Sequence, residues 1–171
     1  MPAFMATLTL IALLASAPPR LETGVTLAVP VIKQARERCG PTALEMVFRF
    51  YGADSSAAIA SSAYDPVLRG SLITDLAAAA RRAGFQATVD ALDDTALVAL
   101  LREGVPPIVL YQNGTGPVTL PHFAVVAGWD PKSRDFLLND GTTRQRTMSR
   151  KKLVARWTTA GRQALIVRRA Q

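Results

Sequence analysis

One stretch, residues 34–52, constrains this chain more than any other. It contains the only cysteine of the sequence, Cys39, followed directly by Gly40 and Pro41. Proline fits the first turn of a helix, where its missing N–H costs nothing, and Gly52 is suited to end one. Between these signals the apolar residues recur at helical spacing: Ala43, Leu44, Val47, Phe48 and Tyr51. The pattern predicts a helix that begins at Cys39 or one residue later and packs an apolar stripe into the core.

A cysteine at a helix N-terminus has surroundings that favour its ionised form. The first N–H groups of a helix have no partner within it, and the helix dipole is positive at that end. Such thiols have pKa values of roughly 3.5–7.5 when other positive groups help. The alternative is that Cys39 is a small buried hydrophobe, as free cysteines often are. We favour a reactive thiol, because the flanking Arg36, Glu37 and Arg38 are charged and Gln34 carries an amide that can donate to an oxyanion.

The composition predicts a single folded domain. The chain has 171 residues, of which 49% are hydrophobic and 19% are charged, as in globular proteins with a core. Its net charge is +7, but the sequence has no compact basic block with interleaved aromatic residues. We therefore expect a solvated basic surface and no nucleic-acid partner, and we leave open an acidic or membrane-surface partner. The composition does not predict the oligomeric state.

Residues 1–20 differ from the rest and predict a signal peptide or hydrophobic leader, with a folded domain at residues 25–171. Residues 4–17 are apolar but too short for a stable membrane span of about 20 residues. Residues 15–17, Ala-Ser-Ala, have the small-x-small form of a signal-peptidase site. The lack of Lys or Arg before the apolar run and Pro18 after the site do not fit, so a misassigned start or a core helix is the alternative. We expect an exported protein, periplasmic or secreted, without an internal disulfide.

The order of the predicted elements indicates the fold class. Helical periodicity comes first, strand-like segments cluster late, and residues 112–120 read as a Gly/Pro/Thr-rich loop. This order predicts an α+β fold with N-terminal helices packed on a mostly antiparallel sheet. Beyond the Cys39 helix, helices are predicted at residues 55–64, 71–83, 93–102 and 149–157, and strands at 25–31, 85–91, 106–111, 122–128, 136–139 and 164–167.

His122 is the only histidine, and it opens an apolar strand directly after Pro121. A lone histidine is usually a structural residue, and that interpretation stays open. Thiol catalysis needs one thiol, one imidazole to take its proton and a third group to orient the imidazole. Cys39 and His122 are the single candidates for the first two roles. One cysteine and one histidine do not make a typical zinc site without carboxylates, so we expect no metal and no cofactor.

Strand register predicts the third group. Residues 122–128 and 134–140 are expected to form the two arms of an antiparallel hairpin. If Gly128 faces the first residue of the second arm, Asp140 lies directly opposite His122. Side chains in that relationship have Cβ atoms about 4.5–5.5 Å apart, so Asp140 is the predicted orienting group.

Two neighbouring residues are weaker candidates for the same role. Asp130 would lie at the far end of the hairpin arm, roughly 20 Å from the imidazole. Asn139 would point to the other face of the sheet. A slip of one residue in register would exchange it with Asp140, so Asn139 is the reserve.

The sequence resembles the bacteriocin-processing, double-glycine leader peptidase family of papain-like cysteine peptidases, and especially its stand-alone members. The resemblance runs from about Val29 to the C-terminus. The matching segments are Val29-Pro30 with Gln34, Cys39-Gly40-Pro41 with Leu44, Tyr51-Gly52, Ser71-Leu72 with Leu76, Gly84-Phe85, Pro106-Pro107-Ile108-Val109, Pro121-His122-Phe123-Ala124-Val125-Val126 and Asn139-Asp140-Gly141.

The resemblance implies a papain-like fold in which Cys39 is the nucleophile, His122 the base and Asp140 the orienting group, with Gln34 in the oxyanion hole. Members of the family often have Asp-Pro where this chain has Asp140-Gly141. The transporter-linked members also carry membrane and ATPase domains, which the printed sequence does not contain. The expectation therefore does not extend to cleavage after a double glycine.

The expected function is that of a cysteine peptidase acting on a peptide or protein substrate. A related thiol acyltransferase is one alternative, and a catalytically silent papain-like domain that binds peptide in its groove is another. An adaptor acting through its basic surface is the third. Because all four site positions are filled, we favour the enzyme over the silent domain.

Overall fold

The computed structural model describes residues 23–115 and 117–170. The predicted helix after residue 38 is confirmed and begins at Cys39 itself. The helices are α1 (Cys39–Phe50), α2 (Ala57–Ser61), α3 (Ile73–Arg82), α4 (Asp94–Arg102) and α5 (Arg150–Thr158), and a short 3-10 helix, Asp54–Ser56, precedes α2. The strands are β1 (Val25–Thr26), β2 (Phe85–Ala91), β3 (Ile108–Thr115), β4 (Val118–Asp130), β5 (Asp135–Asn139), β6 (Arg146–Ser149) and β7 (Gln163–Arg169).

The strands of the described residues form one seven-stranded sheet. Six of them follow the order β2-β7-β3-β4-β5-β6, and β1 pairs separately with β4. Every pairing between them is antiparallel. The predicted α+β fold with an antiparallel sheet is therefore confirmed.

A hydrophobic core lies on each face of the sheet, because alternate residues of a strand point to opposite faces. Ile108 and Val125 face the helices α1 and α3, whose buried residues complete the first core. Val109 and Val126 face α4 and α5 in the second core, which contains the fully buried Trp157. The N-terminal helices thus cover one face as predicted, and the later helices cover the other.

The segment predicted as a loop, residues 112–120, is mostly strand. β3 continues to Thr115 and β4 begins at Val118, with Gln112 opposite Pro121 and Asn113 opposite Leu120. The prediction was wrong because it weighed Gly, Pro and Thr content locally, whereas cross-strand pairing sustains a strand of low intrinsic propensity. The consequence is a hairpin that extends past the ends of the neighbouring strands.

The predicted register of the β4–β5 hairpin is also wrong. Asp130 pairs with Asp135, and Arg134 has the left-handed φ of 59° in the turn between them. An irregularity between Val126 and Gly128 then shifts the pairing by one residue. A β-bulge of this kind inserts an extra residue on one strand, and alternation of apolar residues does not reveal it.

As a result Asp140 is not the strand partner of His122. The pairing of β5 ends at Asn139, which lies opposite Val125. Asp140 therefore follows the strand, and its position relative to the imidazole is set by the loop after β5.

The predicted leader, residues 1–20, lies outside the described residues. Among the described helices, none is long and apolar enough to cross a membrane.

Candidate active site

The start of α1 places the thiol at the edge of the first core. Cys39 is the first residue of the helix and is half-buried. A Cβ atom at Gly40 would lie 3.0 Å from Ser71 Cβ and 3.2 Å from side-chain atoms of Leu76 and Phe123. Glycine thus lets the first turn of α1 approach α3 and β4 closely. No acidic residue in this turn competes for the positive end of the helix dipole.

The structure brings Cys39 and His122 together. Burial disfavours the thiolate and is the largest single influence on the pKa of Cys39. It is outweighed by the hydrogen bond from His122, the backbone N–H groups of Phe123 and Gly40, and the charge of the imidazolium. Together they hold the pKa of Cys39 below its ordinary value.

The pKa of the imidazole is shifted in the opposite direction from that of the thiol. Burial acts to lower the pKa of His122, but the hydrogen bond and charge of Cys39 outweigh it, with further help from Asp140. The pKa of His122 is therefore raised above its ordinary value. A lowered thiol pKa beside a raised imidazole pKa favours a thiolate–imidazolium pair.

The hydrogen-bond partner of His122 Nε2 is a main-chain carbonyl. The Nε2 atom of His122 lies 2.9 Å from the carbonyl oxygen of Asp140. A carbonyl oxygen only accepts, so Nε2 carries the proton and Nδ1 is left for Cys39. The sequence predicted a contact between His122 and the carboxylate of Asp140, whereas the observed contact is with the main-chain carbonyl.

The carboxylate of Asp140 instead stabilises the loop that follows β5. It accepts hydrogen bonds from the Thr142 hydroxyl at 2.8 Å and from Arg146 Nη1 at 3.1 Å. The Asp140 side chain is 4% exposed, whereas that of Arg146 is 55% exposed. These contacts hold the loop so that the carbonyl of Asp140 meets the imidazole.

The two weaker candidates lie away from the imidazole. The fully buried Asn139 donates its amide to the carbonyls of Val29 and Pro30, at 3.0 and 3.3 Å, and accepts from Gln145 at 3.1 Å. Asn139 therefore ties the segment before α1 to the end of β5. Asp130 accepts from the Lys132 backbone N–H at the hairpin turn, where it makes no contact with the site.

Gln34 lies at the same site through its contact with Gly141. Its backbone N–H donates to the Gly141 carbonyl at 2.8 Å, and a Cβ atom at Gly141 would lie 2.1 Å from Gln34 Oε1. Gly141 has a φ of +80°, which a proline ring at −65° does not allow. The departure from the Asp-Pro pattern thus follows from the local backbone, and Gln34 packs where the Cβ would be.

A cleft of about 850 Å³ runs past the thiol and the imidazole. Its exposed apolar residues are Leu68, Leu72 and Leu120, which are 54%, 53% and 69% exposed. The other residues that line it are Gln34, Glu37, Cys39, Arg69, Gly70, Ser71, Ile73, Thr74, Leu110, Asn113, Gly114, Pro121, His122, Phe123 and Gln163. The cleft that contains Cys39 and His122 thus also presents exposed apolar side chains.

The segment before α1 contacts Arg69, which lines the cleft. Arg69 contacts Glu37 at 2.5 Å, and both residues have a left-handed φ, 52° and 63°. Arg38 lies over the Tyr64 ring, 4.0 Å from its centroid, and donates to Ser61. We call the Glu37–Arg69 ion pair, together with the contacts of Arg38 with Tyr64 and Ser61, the Glu37–Arg69 clasp. Sequence reasoning missed it, because two charged residues 32 positions apart give no local signal.

Sequence reasoning also missed Tyr111. It is fully buried, is the cross-strand partner of His122, and has its ring perpendicular to the imidazole. In the sequence it reads as an ordinary apolar strand residue. The available signal was the β3–β4 register, which the assignment of residues 112–120 to a loop concealed.

The fold is that of a papain-like C39 peptidase domain. Residues 26–165 match the model described as the Peptidase_C39 like family, and the chain belongs to that family. The resemblance inferred from the sequence is therefore confirmed. No curated protein matches the chain.

Three solved structures share the fold. The peptidase domain of Streptococcus ComA has a TM-score of 0.67 and 22% identity, covering 83% of this chain and 99% of that domain. A double glycine motif protease from an AMS/PCAT transporter, in complex with the leader peptide, has a TM-score of 0.68 and 22% identity, with coverages of 85% and 95%. A C39-like peptidase from Bacillus anthracis has a TM-score of 0.70 and 16% identity, with coverages of 88% and 100%.

Proposed function

We propose that this chain is a cysteine peptidase in which Cys39 is the nucleophile and His122 the general base. The observation that carries the proposal is that Cys39, at the start of α1, and His122 line the same cleft, where each shifts the pKa of the other, so that the pKa of the thiol is lowered and that of the imidazole is raised. Membership of the C39-like family supports the same reaction. The Asp140 carbonyl orients the imidazole.

In the first half of the reaction the Cys39 thiolate attacks the carbonyl carbon of the scissile peptide bond. A carbon–sulfur bond forms and the carbonyl oxygen becomes an oxyanion. When the tetrahedral intermediate collapses, the carbon–nitrogen bond breaks and the His122 imidazolium gives its proton to the leaving amine. The products are a free amine and a thioester on Cys39.

In the second half a water molecule attacks the thioester carbonyl. The neutral imidazole of His122 takes one proton of this water as the carbon–oxygen bond forms. The carbon–sulfur bond then breaks, the acid product leaves, and the thiolate–imidazolium pair is restored.

The oxyanion is assigned to donors at the N-terminus of α1. The first N–H groups of a helix lack intrahelical partners, and Gln34 lines the cleft beside Cys39. We assign the Gln34 amide and the Cys39 backbone N–H to this role. Removing one such donor lowers kcat by roughly 10²–10³-fold in characterised acyl-transfer enzymes.

The substrate class we propose is a peptide with apolar side chains near the scissile bond. Leu68, Leu72 and Leu120 all line the cleft, and each is more than half exposed. The charged Glu37 and Arg69 in the cleft are paired with each other, so they add little net charge. The AMS/PCAT neighbour, solved with its leader peptide, supports a peptide ligand in a fold of this kind.

The test is cleavage of a diverse peptide library by the purified protein, read by mass spectrometry. The expected result is cleavage that is abolished in Cys39→Ser, nearly abolished in His122→Ala and lowered by roughly 10²-fold or more in Gln34→Ala. Asp130→Ala is the matched control, because Asp130 lies at the hairpin turn, and it should leave the rate unchanged.

Two other outcomes point to the alternatives. Binding of library peptides without cleavage, in a protein whose thiol is not selectively alkylated, indicates a silent peptide-binding domain. Products in which an added amine replaces water indicate a thiol acyltransferase, since the same thioester then passes to a different acceptor.

We further propose that the protein is exported, on the basis of residues 1–20 alone. Fractionation of cells expressing the tagged chain tests this. A periplasmic or extracellular protein shortened at residues 15–17 supports the proposal, and an unprocessed cytoplasmic protein contradicts it.

A further inference from the structure

Tyr111 and His122 face each other across β3 and β4. They are Cα partners in the strand pairing, their ring centroids are 5.7 Å apart, and their rings meet at 87°. Perpendicular aromatic pairs at this separation have a preferred geometry and resist rotation. Tyr111 is fully buried, so its ring also separates this side of the imidazole from solvent.

The hydroxyl of Tyr111 does not explain why a tyrosine is buried here. It is buried, and within the described part of the chain it has no hydrogen-bond partner, although buried polar groups are normally paired. Burial first, and then the charge of Asp140, raise the pKa of Tyr111. The phenol therefore stays neutral across the ordinary pH range, and because its hydroxyl makes no hydrogen bond among the described residues, its contact with His122 is made by the ring.

The imidazole needs a contact of this kind. One nitrogen of His122 donates to the Asp140 carbonyl and the other faces Cys39. Both contacts depend on the rotation of the ring about the Cβ–Cγ bond of His122, because this rotation moves both nitrogens away from their partners. The perpendicular Tyr111 ring packs against the imidazole and favours the observed ring angle. Exclusion of water from the same side also strengthens the attraction between imidazolium and thiolate.

We propose that Tyr111 is a positioning residue for His122. Its ring fixes the plane of the imidazole and keeps water from the His122–Asp140 hydrogen bond, and its hydroxyl is dispensable. The proposal rests on the proposed cysteine peptidase function, but it concerns the thiolate–imidazolium pair, which can be observed without a substrate.

The experiment compares Tyr111→Phe, which keeps the ring, with Tyr111→Leu, which removes it. The rate of alkylation of Cys39 by iodoacetamide is measured against pH, because only the thiolate reacts. Tyr111→Phe should reproduce the wild-type profile. Tyr111→Leu should move the acid limb upward by about half a pH unit or more, since water then screens the pair. On a cleavable peptide it should lower kcat about tenfold or more and leave KM unchanged.

Phe136→Leu is the matched control. Phe136 is also fully buried in the second core, and its ring contacts Trp129. This variant should lose stability without any change in the alkylation profile, which separates positioning from packing. If Tyr111→Leu does not fold, Tyr111→Met provides a flexible side chain of similar reach and the same shift is expected.

Two results overturn the proposal. One is a wild-type profile in the folded Leu or Met variant, and the other is a shift in Tyr111→Phe as large as that in Tyr111→Leu. Failure of the proposed function looks different. The wild-type protein then has the shifted thiol and the Tyr111 dependence, but it cleaves no peptide.

Discussion

The imidazole of His122 is held by the main-chain carbonyl of Asp140 and not by its carboxylate. The Nε2–oxygen distance is 2.9 Å. A backbone acceptor sets the tautomer of the imidazole as a carboxylate does, but it places no full charge on the ring nitrogen. The carboxylate acts at longer range, as a charge that helps to raise the pKa of His122.

Asp140→Asn should therefore keep most of the activity. The amide oxygen can still accept from Thr142, so the loop and its carbonyl stay in place. We expect kcat/KM within about tenfold of wild type. The substitution removes the charge of the carboxylate, but His122 keeps its contact with the Asp140 carbonyl and still acts as the general base. Asp140→Ala removes both the Thr142 and the Arg146 contacts and should cost more, while leaving some activity. Peptide cleavage rates measure both, and an Asn variant as inactive as Cys39→Ala would show that the carboxylate itself is required.

Gly141→Ala should disable the site through Gln34. The new Cβ would lie 2.1 Å from Gln34 Oε1, on a backbone with a φ of +80°. We expect activity to fall by roughly 10²-fold, as for loss of an oxyanion donor, together with a lower melting temperature.

Gly52→Ala is the control for this prediction. Gly52 has a φ of +76°, but its added Cβ meets nothing within 4 Å. The variant carries a similar backbone penalty, about 1–2 kcal/mol, without the contact. It should lose stability and keep its activity. Equal losses of activity in the two variants would mean that Gly141 acts only through stability.

The pH dependence of cleavage follows from the two pKa directions. The reactive form has an ionised Cys39 and a protonated His122. Because the pKa of Cys39 is lowered, the acid limb of kcat/KM should lie below the ordinary thiol value. Because the pKa of His122 is raised, the basic limb should lie above the ordinary imidazole value. A single limb rising near 8.5, the value of a free thiol, would contradict the ion pair.

The Glu37–Arg69 clasp should govern substrate binding more than chemistry. Arg69→Ala frees the cleft wall that carries Leu68, so we expect KM for an apolar peptide to rise several-fold with kcat unchanged. Arg36→Ala is the control, since Arg36 contacts the same Glu37 at 3.5 Å but its side chain is 86% exposed. Steady-state kinetics on one peptide compare the two. A fall in kcat alone would place the clasp in the chemistry instead.

Much of the fold was predictable because its signals are local. The Cys39-Gly40-Pro41 sequence and the apolar stripe after it indicate α1 correctly, with the cysteine as its first residue. The antiparallel sheet follows from strand-like segments clustered late in the chain. The register of β4 and β5 was not predictable in the same way, because the irregularity beside Gly128 and the left-handed Arg134 leave no mark in an alternating pattern.

The site was predictable as far as side-chain chemistry reveals it. One cysteine, one histidine and an upstream glutamine identify Cys39, His122 and Gln34, and the structure places all three along one cleft. The acceptor for the imidazole is a backbone carbonyl, and because every residue has one, side-chain chemistry alone did not indicate it. Tyr111 acts through ring packing across two strands, and only the register brings it to His122.

A proton NMR titration of His122 tests most directly whether Cys39 and His122 form a thiolate–imidazolium pair. His122 is the only histidine of the chain, so its imidazole signal needs no assignment among competitors. In the wild-type protein we predict a pKa for His122 above the ordinary imidazole value of about 6.5. In Cys39→Ser, where burial remains but the thiolate is gone, the pKa should fall below that of the wild type. A pKa that is not raised in the wild-type protein, or that is the same in Cys39→Ser, would contradict the account.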